Sequence, residues 1–262
     1  MSATPDGVAL PRVTVTRYLT PLREGGSLPG VVEAADLGTY VCKFRGAGQG
    51  LRVLVAEVVV AGLAVRVGLR TPQQVVLDLR EEIARYEADE EVQDLLRASL
   101  GDNLGIDLLP GAFGFDGSSA VTAEVASTVL WLDAFTANVD RSWRNPNLLV
   151  WGGDLWVIDH GASLYFHHAW GGGVTDPARF AAQPWDATDH VLRTQATEVA
   201  EADERLTALV TPDVLVEVVA AVPDQWLEAV PGAETPDALR AAYVAFLTAR
   251  LGTRQWLPEA DT

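Results

Sequence analysis

Lysine is almost missing from this chain. Lys43 stands alone against eighteen arginines. No phosphate-binding loop of the G-x-x-x-x-G-K-[ST] type is therefore present. Cysteine is as scarce: Cys42 is the only one, so an intramolecular disulfide is excluded and a reducing cytoplasm is the expected setting. Basic charge is short overall, since 19 Lys and Arg against 36 Asp and Glu leave a formal net charge of −17. Non-specific nucleic-acid binding and anionic-membrane docking both need basic patches, so no nucleic acid and no membrane is expected as a partner. No window of about 18 uninterrupted apolar residues appears, so no transmembrane helix is expected. Residues 1–12, with Pro5, Asp6, Gly7 and Pro11, lack the order of a secretory signal.

What is present suits a globular protein: 262 residues, 48% apolar and 21% charged, enough for one large domain or two lobes. Residues 12–19 alternate as a strand does, 31–33 read as a second, and the run Thr39 to Phe44 around Lys43 as a third. Residues 53–67 are β-branched but too long for a strand, and read as a buried helix ended by Gly68. A strand at 75–79, a charged helix over 81–100 and a short strand over 105–111 follow. Beyond, 122–137 reads as a helix, 148–151 and 155–158 as a hairpin on a Gly-Gly turn, and 189–209, 212–222 and 236–251 as helices. The pattern divides into a mixed N-terminal part, 1–108, and a mainly helical part, 109–262.

Several polar residues stand in these elements with a recognisable chemistry. Phosphoryl transfer needs cations on the phosphates, metal-holding groups and a carboxylate near the acceptor hydroxyl. A lone ammonium on an apolar strand is a compact charge suited to phosphate oxygens. Val41, two residues before Lys43, shares its face of the strand and is placed to cover an adenine. Glu57, fourteen residues on in the apolar helix, offers a carboxylate to anchor Lys43. Asp140 to Asn145 has the D-x-x-x-x-N spacing of a catalytic loop, with Asp140 orienting or deprotonating the acceptor and Asn145 as a metal ligand. Asp159-His160-Gly161 places a carboxylate at the end of the hairpin, where a Mg²⁺ ligand is wanted. Gly25 and Gly26 lie in a loop positioned to cover phosphates, although it does not fit G-x-G-x-x-G. Arg141 and Arg144 either clamp a phosphate or pair with nearby carboxylates. His160, His167 and His168 follow Asp159, but no Cys pair or H-E-x-x-H accompanies them to make a zinc site.

These residues resemble the HipA-like branch of the kinase superfamily, itself similar to phosphatidylinositol 3- and 4-kinases. The likeness is carried by Asn138 to Asn145, by Ile158 to Gly161, by Val41 to Lys43 with Glu57, and by Val65 to Leu69 after the helix. It implies an α+β, bilobal protein-kinase-like fold with an antiparallel-sheet N-lobe and a mainly helical C-lobe. It also implies ATP and Mg²⁺ as cofactors, transfer to a hydroxyl, and an adenine held by hinge backbone, here Asp107 to Leu109. The chain looks shorter than the family's toxins, and the N-terminal extension with which they meet their antitoxin is not expected here, so no antitoxin partner is expected. Many relatives carry a histidine where this chain has Ser142.

The expected activity is ATP-dependent phosphorylation of a hydroxyl on a protein or small molecule. Three readings stand beside it: a nucleotide-binding pseudokinase that regulates a partner, a lipid kinase, and a nucleotidyltransferase on the same fold.

Overall fold

The computed structural model describes residues 9–22, 28–85 and 87–258. Five strands close into a barrel: β1 (Arg12–Pro21), β2 (Gly30–Ala34), β3 (Thr39–Lys43), β4 (Gln74–Leu79) and β5 (Gly101–Asp107), in the order β1-β2-β3-β5-β4. The expected antiparallel sheet holds at β1–β2, β2–β3, β3–β5 and β4–β5, but β1 and β4 run parallel, Val13 opposite Leu77. Parallel neighbours need a long crossover, and the helix before β4 supplies one. Closure leaves no exposed edge. Tyr40 and Cys42 point into the barrel with Val15, Val32, Val75 and Leu77, while Thr39, Val41 and Lys43 face out. Gly105 has room for nothing more, because a Cβ there would sit 2.7 Å from Leu77 and Val75 side-chain atoms.

Helix α1 (Leu51–Arg66) joins β3 to β4, and eleven of its sixteen residues are buried. Valine in a helix interior costs about 0.5 kcal/mol relative to alanine. Burying a Val or Leu side chain returns about 1.5–3 kcal/mol, so burial decides. Gly68, at φ 83°, ends the helix as expected: Leu69 N–H donates to Ala64 O and Gly68 N–H to Val65 O, the paired bonds of a Schellman stop.

Two expected helices are shorter than the sequence pattern suggested. The span 81–100 splits into α2 (Glu81–Arg85) and α3 (Glu90–Ala98), because Asp89 accepts from the N–H of Glu91 and Val92 and starts a new helix. The span 189–209 is helical only in α5 (Val199–Leu209). Ahead of it His190 Nδ1 takes the N–H of Leu192 and the chain runs in turns. β5 begins four residues before its expected start, since the buried Asn103, bonded to Ser99 O and Gly101 O, breaks the apolar pattern without breaking the ladder.

After β5 come β6 (Phe113–Gly114), α4 (Ala123–Thr136), β7 (Leu148–Trp151) and β8 (Asp154–Val157), with β6, β7 and β8 forming one small sheet. A 3₁₀ turn at Tyr165–Gly172, then α5, α6 (Pro212–Ala220) and α7 (Pro236–Thr253), complete the chain. One hydrophobic core joins α1 to these helices through Val58, Leu63, Trp131, Phe135, Val218 and Phe246. Among the described residues no helix is long and apolar enough to cross a membrane.

Candidate active site

The structure joins three chain segments at one ammonium. Lys43 Nζ bonds Glu57 Oε1 and lies 2.6 Å from Asp159 Oδ1, although Lys43 and Asp159 are 116 positions apart. Lys43 reaches this point from the outward face of β3, Glu57 from the buried side of α1, and Asp159 from the residue pair that follows β8. Burial disfavours the Lys43 charge, but the two carboxylates outweigh it and hold the ammonium above its ordinary range. Burial pushes the Glu57 carboxyl up, against the pull of Lys43. Asp159 is held below the usual carboxylate range: burial works upward, and Lys43 overcomes it. The Asp159 side chain remains 48% exposed, whereas that of Glu57 is 1% exposed. The first is open to a ligand and the second is a fixed anchor.

Asp159 adopts φ 53°, a left-handed conformation that among non-glycine residues Asn and Asp tolerate best. It swings the chain from β8 back across α1. His160 then points inward, where burial, with the nearby Arg141 charge, pushes its pKa down to about 3. It is therefore neutral and its Nδ1 accepts from Arg141 Nη2 at 3.4 Å.

The catalytic-loop candidate begins where α4 stops. Ala137 takes a left-handed conformation, and Asn138 N–H closes on Asp133 O at 2.8 Å. Asp140 N–H donates to Asn138 Oδ1 at 2.9 Å, and Asn145 Nδ2 donates to Asp140 Oδ2 at 2.8 Å. Asn145 is exposed. Asn147 is buried, and its Nδ2 donates to the Asp140 carbonyl at 2.6 Å. Its own carbonyl accepts from Ile158 N–H at 3.1 Å, which places it beside the residue preceding Asp159.

Arg141 is not open to a phosphate. Its guanidinium is buried against Asp133 Oδ2 at 2.5 Å, Asn147 O and Ile158 O. Arg144 is exposed. Asp133 also holds Asn138 Nδ2 at 2.8 Å and His190 Nε2 at 3.0 Å. Burial alone would raise the Asp133 pKa, but Arg141 and His190 keep it far below the usual carboxylate range.

The remaining expected residues are placed as follows. Val41 is half-buried on the face that carries Lys43, opposite Ile106 of β5. Asp107 ends β5 and gives its N–H to Gln73 O, while Leu108 N–H goes to Thr39 O and the Leu109 carbonyl accepts from Ala112. The N–H groups of Asp107 and Leu108 are thus taken, while the Leu109 carbonyl keeps a second lone pair. Burial, with help from Asp36, raises the Asp107 carboxyl. Gly25 and Gly26 lie outside the described residues. His167 bonds Tyr243 OH through Nδ1 at 3.0 Å. Among the described residues no group of three His, Cys, Asp or Glu side chains is arranged to hold a metal ion. A Mg²⁺ that arrives with phosphates needs only one or two protein ligands, and an Asp159–Asn147 pair fits that requirement.

The signal for Asn147 was in the hairpin. A Gly152-Gly153 turn pairs Leu148 with Val157, which sets Asn147 against Ile158 and next to Asp159. Asn138 stands at the head of the 138–145 motif and its side chain bonds residues two and five positions away, whereas Asp133 and His190 had no comparable signal, since they meet across 57 positions.

The sequence model of the HipA-like kinases matches residues 15–256. The chain belongs to the HipA-like kinase family. The solved structure of CtkA, described as a proinflammatory kinase of Helicobacter pylori, shares this HipA-like kinase's fold. Its TM-score is 0.55 and its identity 10%, with 89% of this chain and 92% of CtkA covered. The Golgi casein kinase with Mn/ADP bound gives a TM-score of 0.44 at 11% identity, over 94% of this chain and 73% of its own, a likeness too low to carry argument. No curated protein matches in sequence. Family and fold together make this a kinase-type phosphotransferase.

Proposed function

We propose that this HipA-like kinase transfers the γ-phosphoryl group of ATP to a hydroxyl of a protein or small molecule, in a cleft between two lobes, residues 1–108 and 109–262. The observation that carries the reading is the Lys43 ammonium held between Glu57 and Asp159. In this reading Glu57 fixes Lys43 so that its charge meets phosphate oxygens, and Val41 covers the adenine beside residues 107–109. Asp159 and Asn147 would hold Mg²⁺, which supplies positive charge to the phosphates as the leaving oxygen gains negative charge. Asn147 replaces Asn145 in that role, because Asn147 is buried beside Asp159 and Asn145 faces solvent. Asp140 orients the acceptor hydroxyl and takes its proton as the bond from phosphorus to the acceptor oxygen forms and the bond to ADP breaks. Val139 and Trp143, both exposed, flank Asp140 where an acceptor would approach. A cytoplasmic setting belongs to the same reading, supported by a single cysteine, buried and unpaired.

The test is turnover of γ-labelled ATP with Mg²⁺ by the purified protein, with the product identified by mass spectrometry. Phosphate on an acceptor or on the protein itself, lost in Lys43→Ala, Asp140→Ala and Asp159→Ala, supports the reading. Nucleotide binding without turnover would instead make the chain a pseudokinase, an AMP adduct would make it a nucleotidyltransferase, and turnover on lipid alone would make it a lipid kinase. Full activity in Asp159→Ala would overturn the metal assignment.

A further inference from the structure

We propose that Arg141 is a positioning residue that sets the spacing of the metal-holding groups and ties them to Asp140. The inference rests on the reading of Asp159 and Asn147 as the metal-holding pair. Arg141 is 4% exposed, so it acts on no substrate directly. Its Nη1 donates to two carbonyls at once, that of Asn147 and, at 3.3 Å, that of Ile158. Its Nη2 donates to His160 Nδ1 at 3.4 Å. One planar group therefore grips the backbone of Asn147 and both neighbours of Asp159. The two side chains offered to a metal spring from backbone that this guanidinium holds together.

The other edge of Arg141 faces the acceptor side. Nε donates to Asp133 Oδ2 at 2.5 Å, Asp133 Oδ1 accepts from Asn138 Nδ2 at 2.8 Å, and Asn138 Oδ1 accepts the Asp140 N–H at 2.9 Å. Asp133 thus anchors Asp140 through Asn138 and the metal pair through Arg141. His190 Nε2, at 3.0 Å, keeps Asp133 from turning. Only arginine offers donors fixed in one plane to serve this many acceptors; a lysine in its place keeps the charge but loses the fork.

Arg250 provides a matched control. It is equally buried and donates to the carbonyls of Ala134, Phe135, Ala181 and Gln183, but to no residue of the metal pair.

The experiment titrates the full-length protein with fluorescent N-methylanthraniloyl-ADP, with and without Mg²⁺, and reads the metal-dependent gain in affinity. Melting temperatures are recorded alongside. Outer contacts of metal ligands are typically worth about 10–100-fold in metal affinity. Arg141→Lys is expected to leave metal-free binding within about threefold and to cut the gain at least about tenfold. Arg250→Lys lowers the melting temperature and leaves the gain unchanged. Asp133→Asn, which loosens the anchor of Arg141 while keeping an acceptor oxygen, shifts the gain in the same direction and decides the matter if Arg141→Lys does not fold. A wild-type gain that survives in these variants overturns the role of Arg141 alone. A wild-type protein with no gain overturns the metal reading itself, and this role with it.

Discussion

Gly161 lies directly against Glu57. A Cβ on Gly161 would stand 3.2 Å from Glu57 Oε1 and 2.6 Å from Val53 Cγ1. The chain leaving Asp159 can cross α1 only because nothing projects there. Gly161→Ala is therefore expected to push the Asp159 turn away from α1. We expect a loss of about 1–3 kcal/mol in stability, the usual cost of overpacking, and at least a tenfold drop in ATP·Mg²⁺ turnover. Chemical denaturation and a kinase assay on the same preparation check both.

Asn147 and Asn145 should separate cleanly. Asn147→Ala removes a buried amide that touches the Asp140 carbonyl, and is expected to reduce turnover about 100-fold and to raise the Mg²⁺ concentration needed for half-maximal rate. Asn145→Ala removes only an exposed bond to Asp140 Oδ2, and should keep activity within about tenfold of wild type. Rates measured across a Mg²⁺ titration distinguish them. Equal losses in the two variants would contradict the reassignment.

Stability should fall in two stages on acidification. His167 is kept neutral by burial, with the neighbouring His168 and Arg52 charges acting the same way, so its folded pKa lies well below its ordinary value. Below about pH 6.5 the unfolded chain takes up a proton there that the folded chain refuses, so stability falls as pH falls. Asp133 is depressed by Arg141 and His190 despite its burial. Its contribution is fully present above about pH 4 and is lost below, as the unfolded carboxylate protonates first. Urea denaturation between pH 8 and 3 should show a decline beginning near 6.5 and steepening below about 4. His167→Gln should reduce the first stage, which the buried, neutral His160 shares, and Asp133→Asn should reduce the second, which Asp159 shares.

Gly62 marks where α1 meets α6. A Cβ there would stand 3.2 Å from Val218 Cγ1. Gly62→Leu should force the helices apart, with a loss of about 1–3 kcal/mol, and lower turnover by displacing Glu57 five residues earlier on the same helix. Glu217→Ala breaks only the half-exposed pair with Arg66 and should change stability by less than about 1 kcal/mol. Thermal melts of the two variants give the comparison.

Much of the architecture was legible where local pattern and local chemistry agree. The run at 53–67 is too long and too apolar for a strand, and the helix there spans Leu51–Arg66, with Gly68 at positive φ supplying the stop. The hairpin at 148–157 was legible for the same reason, with Gly152 and Gly153 both at positive φ. Less was legible where side chains compete for backbone. Asp89 starts a helix inside a charged run, and His190 takes an N–H that a helix would have used. The β1–β4 seam could not be read at all, because strand direction across a crossover leaves no mark on either strand.

The amino-acid sequence alone determined which groups carry charge and which runs are apolar: a solitary lysine on an outward strand face, a glutamate inside an apolar helix, acids at two loop ends. These follow from residue type and period, which are local properties. Only the tertiary structure decided that Lys43 meets Asp159, that Asn147 is buried while Asn145 is exposed, and that Arg141 is spent on Asp133 and backbone carbonyls. Those outcomes depend on which distant segments share a low-dielectric interior, where a buried charge must find its partners whatever their separation along the chain.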